Sequence, residues 1–214
     1  MAVALVVAAG RGERLGSGGP KAFVMLAGRP MIEWSLDALR AVDEVRRIVV
    51  ALPPGVTAPA GTVGVRGGEQ RSHSVRAALA AAGDDDVVLV HDAARPLVTA
   101  RTVRDCLQEL ASHDCDGVIA AAPLADTVKE TSGEEVVRTL DRSRLWAVQT
   151  PQVFHRAALE HAFTQPADVV AAATDDAALI EAAGGTIRVV PAPRTNFKIT
   201  TPEDLHLADL LLRC

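Results

Sequence analysis

The chain has no tyrosine, two tryptophans and four phenylalanines, so its interior must be built from Ala, Val and Leu. The same scarcity removes the aromatic platforms on which single-stranded nucleic acid stacks. A basic face is missing as well: 22 Lys and Arg stand against 27 Asp and Glu, a formal net charge of −5. Nucleic acid is therefore not an expected partner, whereas a small anion, which answers to local charge, is allowed. Three cysteines, Cys106, Cys115 and Cys214, share no C-x-x-C spacing, which argues against a disulfide framework or zinc site and for reduced thiols in a cytosol. No apolar run approaches the ~18 residues of a membrane span, and the first apolar stretch is strand-sized with no basic residues ahead of it. These absences predict a soluble cytoplasmic protein that binds neither nucleic acid nor membrane. Its 214 residues suit one domain that buries about 70% of its unfolded surface.

What is present is concentrated first in residues 3–21. Residues 3–8 read as a short buried strand that runs into Ala8-Ala9-Gly10-Arg11-Gly12-Glu13-Arg14-Leu15-Gly16-Ser17-Gly18-Gly19-Pro20-Lys21. An apolar strand ending in glycines and basic residues presents amides and positive charge to a phosphate-bearing ligand. Two common phosphate fingerprints fail on spacing. G-x-G-x-x-G needs glycine where Leu15 stands, and the strand at 49–52 ends in Pro53-Pro54 instead of an acid for a ribose. The Walker pattern fails because Pro20 separates Gly19 from Lys21 and Ala22 follows the lysine. The plain alternative, a surface turn, sits poorly with the strand before it.

The rest of the chain alternates strands with helices. Residues 31–42 carry Ile32, Leu36 and Leu39 at helical spacing, with Pro30 in the first turn. Strands are predicted at 45–52, 63–65, 87–90, 117–122 and 186–190, and helices after Ser74, over 102–112 and 156–163, and from Thr174-Asp175-Asp176, a cap with first-turn acids, to Gly184-Gly185. A closing helix begins at Thr201-Pro202-Glu203-Asp204 and uses Leu205, Ala208, Leu211 and Leu212 as its core side. Strands buried on both faces and alternating with helices imply a mainly parallel sheet covered on both sides, with ligands at the carboxyl ends of the strands. Those ends carry the glycine loop, the turn Gly67-Gly68-Glu69-Gln70-Arg71-Ser72-His73-Ser74, and His91-Asp92. From Pro123 the texture changes. Thr127-Val128-Lys129 and Val136-Val137-Arg138-Thr139 flank Ser132-Gly133, the pattern of a hairpin, so an arm with little core of its own is predicted over about 123–149, closed by residues 150–154.

A nucleoside triphosphate on the glycine loop would need extra negative charge stabilised at its α-phosphorus and on departing pyrophosphate. Arg14, Lys21 and Lys198 are the available cations, and Asp92 is the best carboxylate for a hard divalent ion. Taken singly, the lysines are ordinary surface residues; a strand-end acid such as Asp92 is harder to explain without a partner. His91-Asp92 without further spaced ligands does not support a two-metal hydrolase. His73, His113, His155, His161 and His206 show no metal spacing, and G-x-S-x-G is absent.

In order along the whole chain, Ala8-Ala9-Gly10-x-Gly12-x-Arg14 with Pro20-Lys21, Gly67-Gly68-x-x-Arg71-x-x-Ser74-Val75, His91-Asp92-Ala93-Ala94-Arg95-Pro96, Asp126-Thr127, Asp141-Arg142, Thr150-Pro151-Gln152, Thr174-Asp175-Asp176 and Asn196-x-Lys198-Ile199-Thr200 resemble the 2-C-methyl-D-erythritol 4-phosphate cytidylyltransferase family. The resemblance implies a Rossmann-like α/β nucleotidyltransferase fold, a mainly parallel sheet with helices on both faces and a projecting β-hairpin arm. It implies joining of CTP to methylerythritol phosphate with release of pyrophosphate, in the non-mevalonate route to isoprenoids. Arg14, Lys21 and Lys198 would stabilise the pentavalent phosphorus, and Asp92 would bind Mg²⁺. Ala8, Ala9, Gly10, Gly67, Ser74 and Ala93 would hold cytosine and ribose, with Gly12 of the loop in the same nucleotide-binding set. The arm would build a homodimer, through which Thr127 and Arg142 reach the polyol phosphate beside Arg95. One departure is Ala22, where glutamine usually follows the loop lysine; another is the short connection over 53–62. The remaining alternatives are a cytidylyltransferase of the same fold for another polyol phosphate such as ribitol 5-phosphate, and a non-catalytic nucleotide-binding module.

Overall fold

The computed structural model describes residues 1–10, 12, 15 and 19–213. In chain order, β1 (Ala2–Val7) leads through a short 3-10 turn at Lys21–Phe23 to a small hairpin of β2 (Met25–Leu26) and β3 (Arg29–Pro30), then to α1 (Met31–Arg40) and β4 (Val45–Leu52). There follow β5 (Val63–Arg66), α2 (Arg71–Ala80), β6 (Val87–Asp92), α3 (Ala100–Ser112), β7 (Gly117–Pro123), and the arm strands β8 (Lys129–Ser132) and β9 (Glu135–Thr139). The chain closes with β10 (Trp146–His155), α4 (Arg156–Ala162), α5 (Ala167–Ala172), α6 (Asp176–Ala182), β11 (Ile187–Pro191) and α7 (Pro202–Arg213).

Among the described residues the main sheet has seven strands in the order β11-β7-β10-β6-β1-β4-β5. Only β10 runs against its neighbours β6 and β7; the pairs β1/β4, β1/β6, β4/β5 and β7/β11 are all parallel. Alternation along the strands sorts their apolar side chains into two layers. Ala4, Val6, Val50 and Leu89 meet Ile32, Leu36 and Leu39 of α1 and Val103, Cys106 and Leu110 of α3. Val3, Leu5, Val49, Val88 and Val90 meet Val75, Ala78 and Leu79 of α2, Leu159 of α4, and Leu179 and Ile180 of α6. Helices thus cover both faces, as the apolar strand runs predicted.

Several local expectations are corrected. Pro30 is the residue before α1 and not part of its first turn. The stretch 150–154 does not merely close the arm: it is half of a ten-residue strand inserted between β6 and β7. Its run of Gln149, Thr150 and Gln152 among apolar neighbours hid that placement, because these polar side chains are buried against the site and not turned to solvent. On α7, Ala208 is buried but Leu211 is exposed. That helix packs on Leu26, Met31 and Ile199 with a face narrower than its leucines suggest. The start of α7 is a reciprocal cap: Asp204 N–H donates to Thr201 Oγ1 while Asp204 Oδ2 accepts from Thr201 N–H. Residues of both arm strands are exposed. No helix among the described residues is long and apolar enough to cross a membrane.

Candidate active site

The carboxyl ends of β1, β4 and β6 are tied side by side: Ala8 N–H donates to Ala51 O (2.9 Å), Gly67 N–H to Leu52 O (2.8 Å) and Ala93 N–H to Val7 O (3.1 Å). Over this floor opens a cleft of about 990 Å³, at the upper end of the size of small-ligand sites. Ala8, Ala9, Gly10, Gly12, Lys21, Gly67, Ser74, Asp92, Ala93 and Lys198, all singled out by sequence, line it. Arg14 lies outside the described residues. Arg95, Thr127 and Arg142 are not among the residues that line the cleft. Thr127 is exposed. Arg142, also exposed, donates through Nη1 to the carbonyl of Ala125 within the arm.

Small residues at the floor are dictated by close approach. Gly12 has φ +67°, and a Cβ there would stand 2.6 Å from Lys21 Cβ, so glycine lets the loop fold back over the lysine. Backbone bonding between Lys21 N–H and Gly10 O (3.3 Å) closes the same return. Ala22, the departure from the expected glutamine, is buried in the core beneath the loop. In the second turn, Ser74 Oγ accepts from Gly68 N–H (3.1 Å) and donates to Gln70 O (3.2 Å). Ser74 thus shapes the Gly67-Gly68 turn from within α2, and α2 itself has no side-chain cap.

The charged part of the site converges on Asp92, the last residue of β6. Its Oδ1 accepts from Arg71 Nε (3.0 Å) and its Oδ2 from Lys198 Nζ (2.7 Å). Burial alone would raise this carboxyl, but Arg71, Lys198 and Arg95 together hold it well below the usual carboxylate range. Arg71 reaches onward to Asp176 at the start of α6, with Nη1 donating to Oδ2 at 2.6 Å. Burial works against the Arg71 cation, and the two carboxylates more than offset it.

Behind Asp92 lies a chain of neutral hydrogen bonds. His91 is fully buried, and burial lowers its imidazole to about 4, so it is neutral near pH 7. Its Nε2 faces the carbonyl of Arg95 (3.3 Å), which can only accept, and this puts the proton on Nε2. Nδ1 then accepts from the Thr150 hydroxyl (3.0 Å), whose oxygen accepts Asp92 N–H (3.0 Å). His91 therefore braces the strand end from inside the core.

Lys198 is held by what flanks it. Asn196, fully buried, donates through Nδ2 to Gln149 Oε1 (2.8 Å) and Thr150 O (2.9 Å). Ile199 N–H donates to Ala94 O (2.8 Å). Arg95 fastens the same loop, with Nη1 donating to Asn196 O (2.8 Å) and Nη2 to Val148 O (3.2 Å). Its two terminal nitrogens are thus committed to backbone carbonyls.

Sequence reasoning did not assign Arg71, Thr150 or Asp176 to the site, although each stands inside one of the ordered motifs. Thr174-Asp175-Asp176 reads locally as a helix start, and Asp175 does cap α6, its Oδ1 accepting from Ala178 N–H at 2.9 Å. Because Asp175 already does that work, the second acid was the available signal. Among the described residues no group of three or more His, Cys, Asp or Glu could hold a metal ion.

Residues 2–214 match the family described as IspD, 2-C-methyl-D-erythritol 4-phosphate cytidylyltransferase. The protein of that name from Frankia casuarinae is 48% identical, covering 99% of this chain and 81% of its own. The one from Rubrobacter xylanophilus is 42% identical, covering 99% and 94%. The crystal structure of the Thermus thermophilus enzyme superposes with a TM-score of 0.84 at 38% identity, covering all of both chains. That of the Francisella tularensis enzyme gives 0.84 at 32% identity, covering 98% of each.

Proposed function

The chain belongs to the 2-C-methyl-D-erythritol 4-phosphate cytidylyltransferase family, and from that premise we propose how its cleft moves the cytidylyl group of CTP onto the phosphate of 2-C-methyl-D-erythritol 4-phosphate. The observation that carries the reading is the meeting of Lys21, Lys198, Arg71 and Asp92 over the joined ends of β1, β4 and β6. A binding module would need the floor but not this density of cations.

Ala8, Ala9, Gly10, Gly12, Gly67, Ser74 and Ala93 receive the nucleoside, their small side chains letting a flat base and ribose approach the backbone. A phosphate oxygen of the polyol phosphate attacks the α-phosphorus of CTP. A new P–O bond forms as the bond from that phosphorus to the bridging oxygen breaks, and pyrophosphate leaves with the electron pair. Charge grows on the equatorial oxygens and on the leaving group, and Arg14, Lys21 and Lys198 stabilise it. The donor chemistry fits a Mg²⁺ ion: Asp92 is an ionised carboxylate on the cleft wall, each of its oxygens keeps a lone pair beside its cation partner, and Mg²⁺ takes one or two carboxylates with water and phosphate oxygens. Bound there, the ion would add a Lewis-acid clamp on the phosphates.

The acceptor side is assigned to the arm. Its uncovered Val136 and Val137, 56% and 58% exposed, support pairing with a second copy, whose Thr127 and Arg142 would face the polyol phosphate, with Arg95 bracing the loop beside it. Arg142→Ala is then expected to raise KM for the polyol phosphate about 10-fold or more and to change KM for CTP less than about 3-fold. Equal changes in both would remove Arg142 from the acceptor site. The reading as a whole is tested by pyrophosphate release from CTP with a panel of polyol phosphates. Release is expected with 2-C-methyl-D-erythritol 4-phosphate; preference for ribitol 5-phosphate, or no release with any acceptor, would overturn it.

A further inference from the structure

Asp176 is fully buried, one of the costlier positions for a carboxylate. Burial raises its carboxyl despite Arg71 beside it. A buried ion pair of this kind gives little net stability over an apolar replacement, and the helix start it occupies is already capped by Asp175. Packing and capping therefore leave Asp176 unexplained.

The bonding of Arg71 supplies an explanation. A guanidinium can grip both oxygens of one carboxylate with a pair of parallel bonds. Arg71 instead gives Asp92 one bond, from Nε to Oδ1, and turns Nη1 to Asp176 Oδ2. Its Nη2 is buried with no hydrogen-bond partner among the described residues, as is Asp176 Oδ1. The second oxygen of Asp92 is thereby left to Lys198 Nζ, at 2.7 Å.

Resting on the reading of the cleft as a cytidylyltransferase site, we propose that Asp176 is a positioning residue. By holding Nη1 it fixes the plane of the guanidinium, so that Arg71 meets Asp92 through Nε alone, Nη2 stays unpartnered among the described residues, and Lys198 is the cation on the other oxygen. The Lys198 ammonium is thus held at the cleft wall where the α-phosphorus is attacked. Without Asp176, the guanidinium is free to turn and bring Nη2 beside Nε onto Asp92, which places a second cationic nitrogen against Oδ2 and shifts Lys198 from its contact there.

The test compares wild type, Asp176→Asn, Lys198→Ala and the double variant. Asp176→Asn keeps the side-chain shape and removes the charge, and is expected to lower kcat about 10- to 100-fold while leaving KM for CTP within about 3-fold. Because Asp176 acts through Lys198, the double variant should be no slower than Lys198→Ala alone; losses that multiply would overturn the proposal. A second readout is independent of turnover. The chain has only three lysines, Lys21, Lys129 and Lys198, so a spectrum with ¹⁵N-labelled lysine resolves their ammonium groups. Assigned through its loss in Lys198→Ala, the Lys198 signal should shift or broaden in Asp176→Asn, and an unchanged signal would overturn the proposal. Should Asp176→Asn fail to fold, Asp176→Ser serves in its place, because its short uncharged hydroxyl cannot hold Arg71 Nη1 while the guanidinium itself is kept. The same kcat loss and the same non-additivity with Lys198→Ala are expected, and normal turnover or multiplied losses would overturn the proposal. Inactive wild type would instead count against the cytidylyltransferase reading itself.

Discussion

Lys21→Ala and Lys198→Ala are each expected to lower kcat by about 100-fold or more, the loss that follows removal of one preorganised charge from a transition state. For Lys198 the geometry makes the effect specific. Its side chain is 41% exposed and pairs with Asp92, so its removal leaves the core intact while Asp92 keeps its bond to Arg71. The loop stays in place through Asn196 and Ile199, both fully buried. Lys21 is fixed differently, by the return of the glycine loop over its stem at Gly12. Pyrophosphate release by the variants, with circular dichroism to show that they fold, checks both. Turnover within a few-fold of wild type in a folded variant would take that lysine out of the transition state.

The second large effect is expected from adding a single methyl group. Gly67→Ala would place a Cβ 2.3 Å from Ala9 Cβ and 3.0 Å from Ser74 Oγ. Neither neighbour can retreat easily: Ala9 Cβ is fixed to the backbone just after β1, and Ser74 Oγ is engaged with Gly68 and Gln70. The glycine loop and the second turn must therefore separate across the cleft floor. Overpacking of this kind costs about 1–3 kcal/mol, and its strain falls where the nucleoside is assigned. The affinity for CTP should fall about 10- to 100-fold, as measured by calorimetric titration, with Tm lowered by several degrees. An unchanged Kd would mean that the nucleotide does not lie across this junction.

The glycine loop, the turn at Gly67 and the acid at Asp92 were legible because each is a local event: an apolar run ends, and polar or flexible residues follow at once. The buried strands and most helices were legible for the same reason, since periodicity needs only near neighbours. What failed was also local in origin. The short helix α5, at six residues, is too brief to show a period, and β10 carries polar residues where a buried strand is expected to be apolar. Leu211 is expected in the core stripe of α7 but is exposed, while Leu205 and Leu212 pack against the core.

Hydrophobic pattern, caps and ordered motifs were thus enough to assign the class of fold, a glycine loop that lines the cleft, and the family. Pairing among the charges was not. Asp92 meets Arg71 across 21 positions and Lys198 across 106, and Arg71 meets Asp176 across 105. No spacing rule connects residues so far apart. Their meeting depends on β6 lying next to β1, on β10 entering between β6 and β7, and on the loop after β11 folding back onto Thr150 through Asn196. Those choices follow from how the two apolar layers pack on the sheet as a whole. A carboxylate that reads in the chain as an ordinary helix start becomes, once those layers close, the group that divides a guanidinium between two acids.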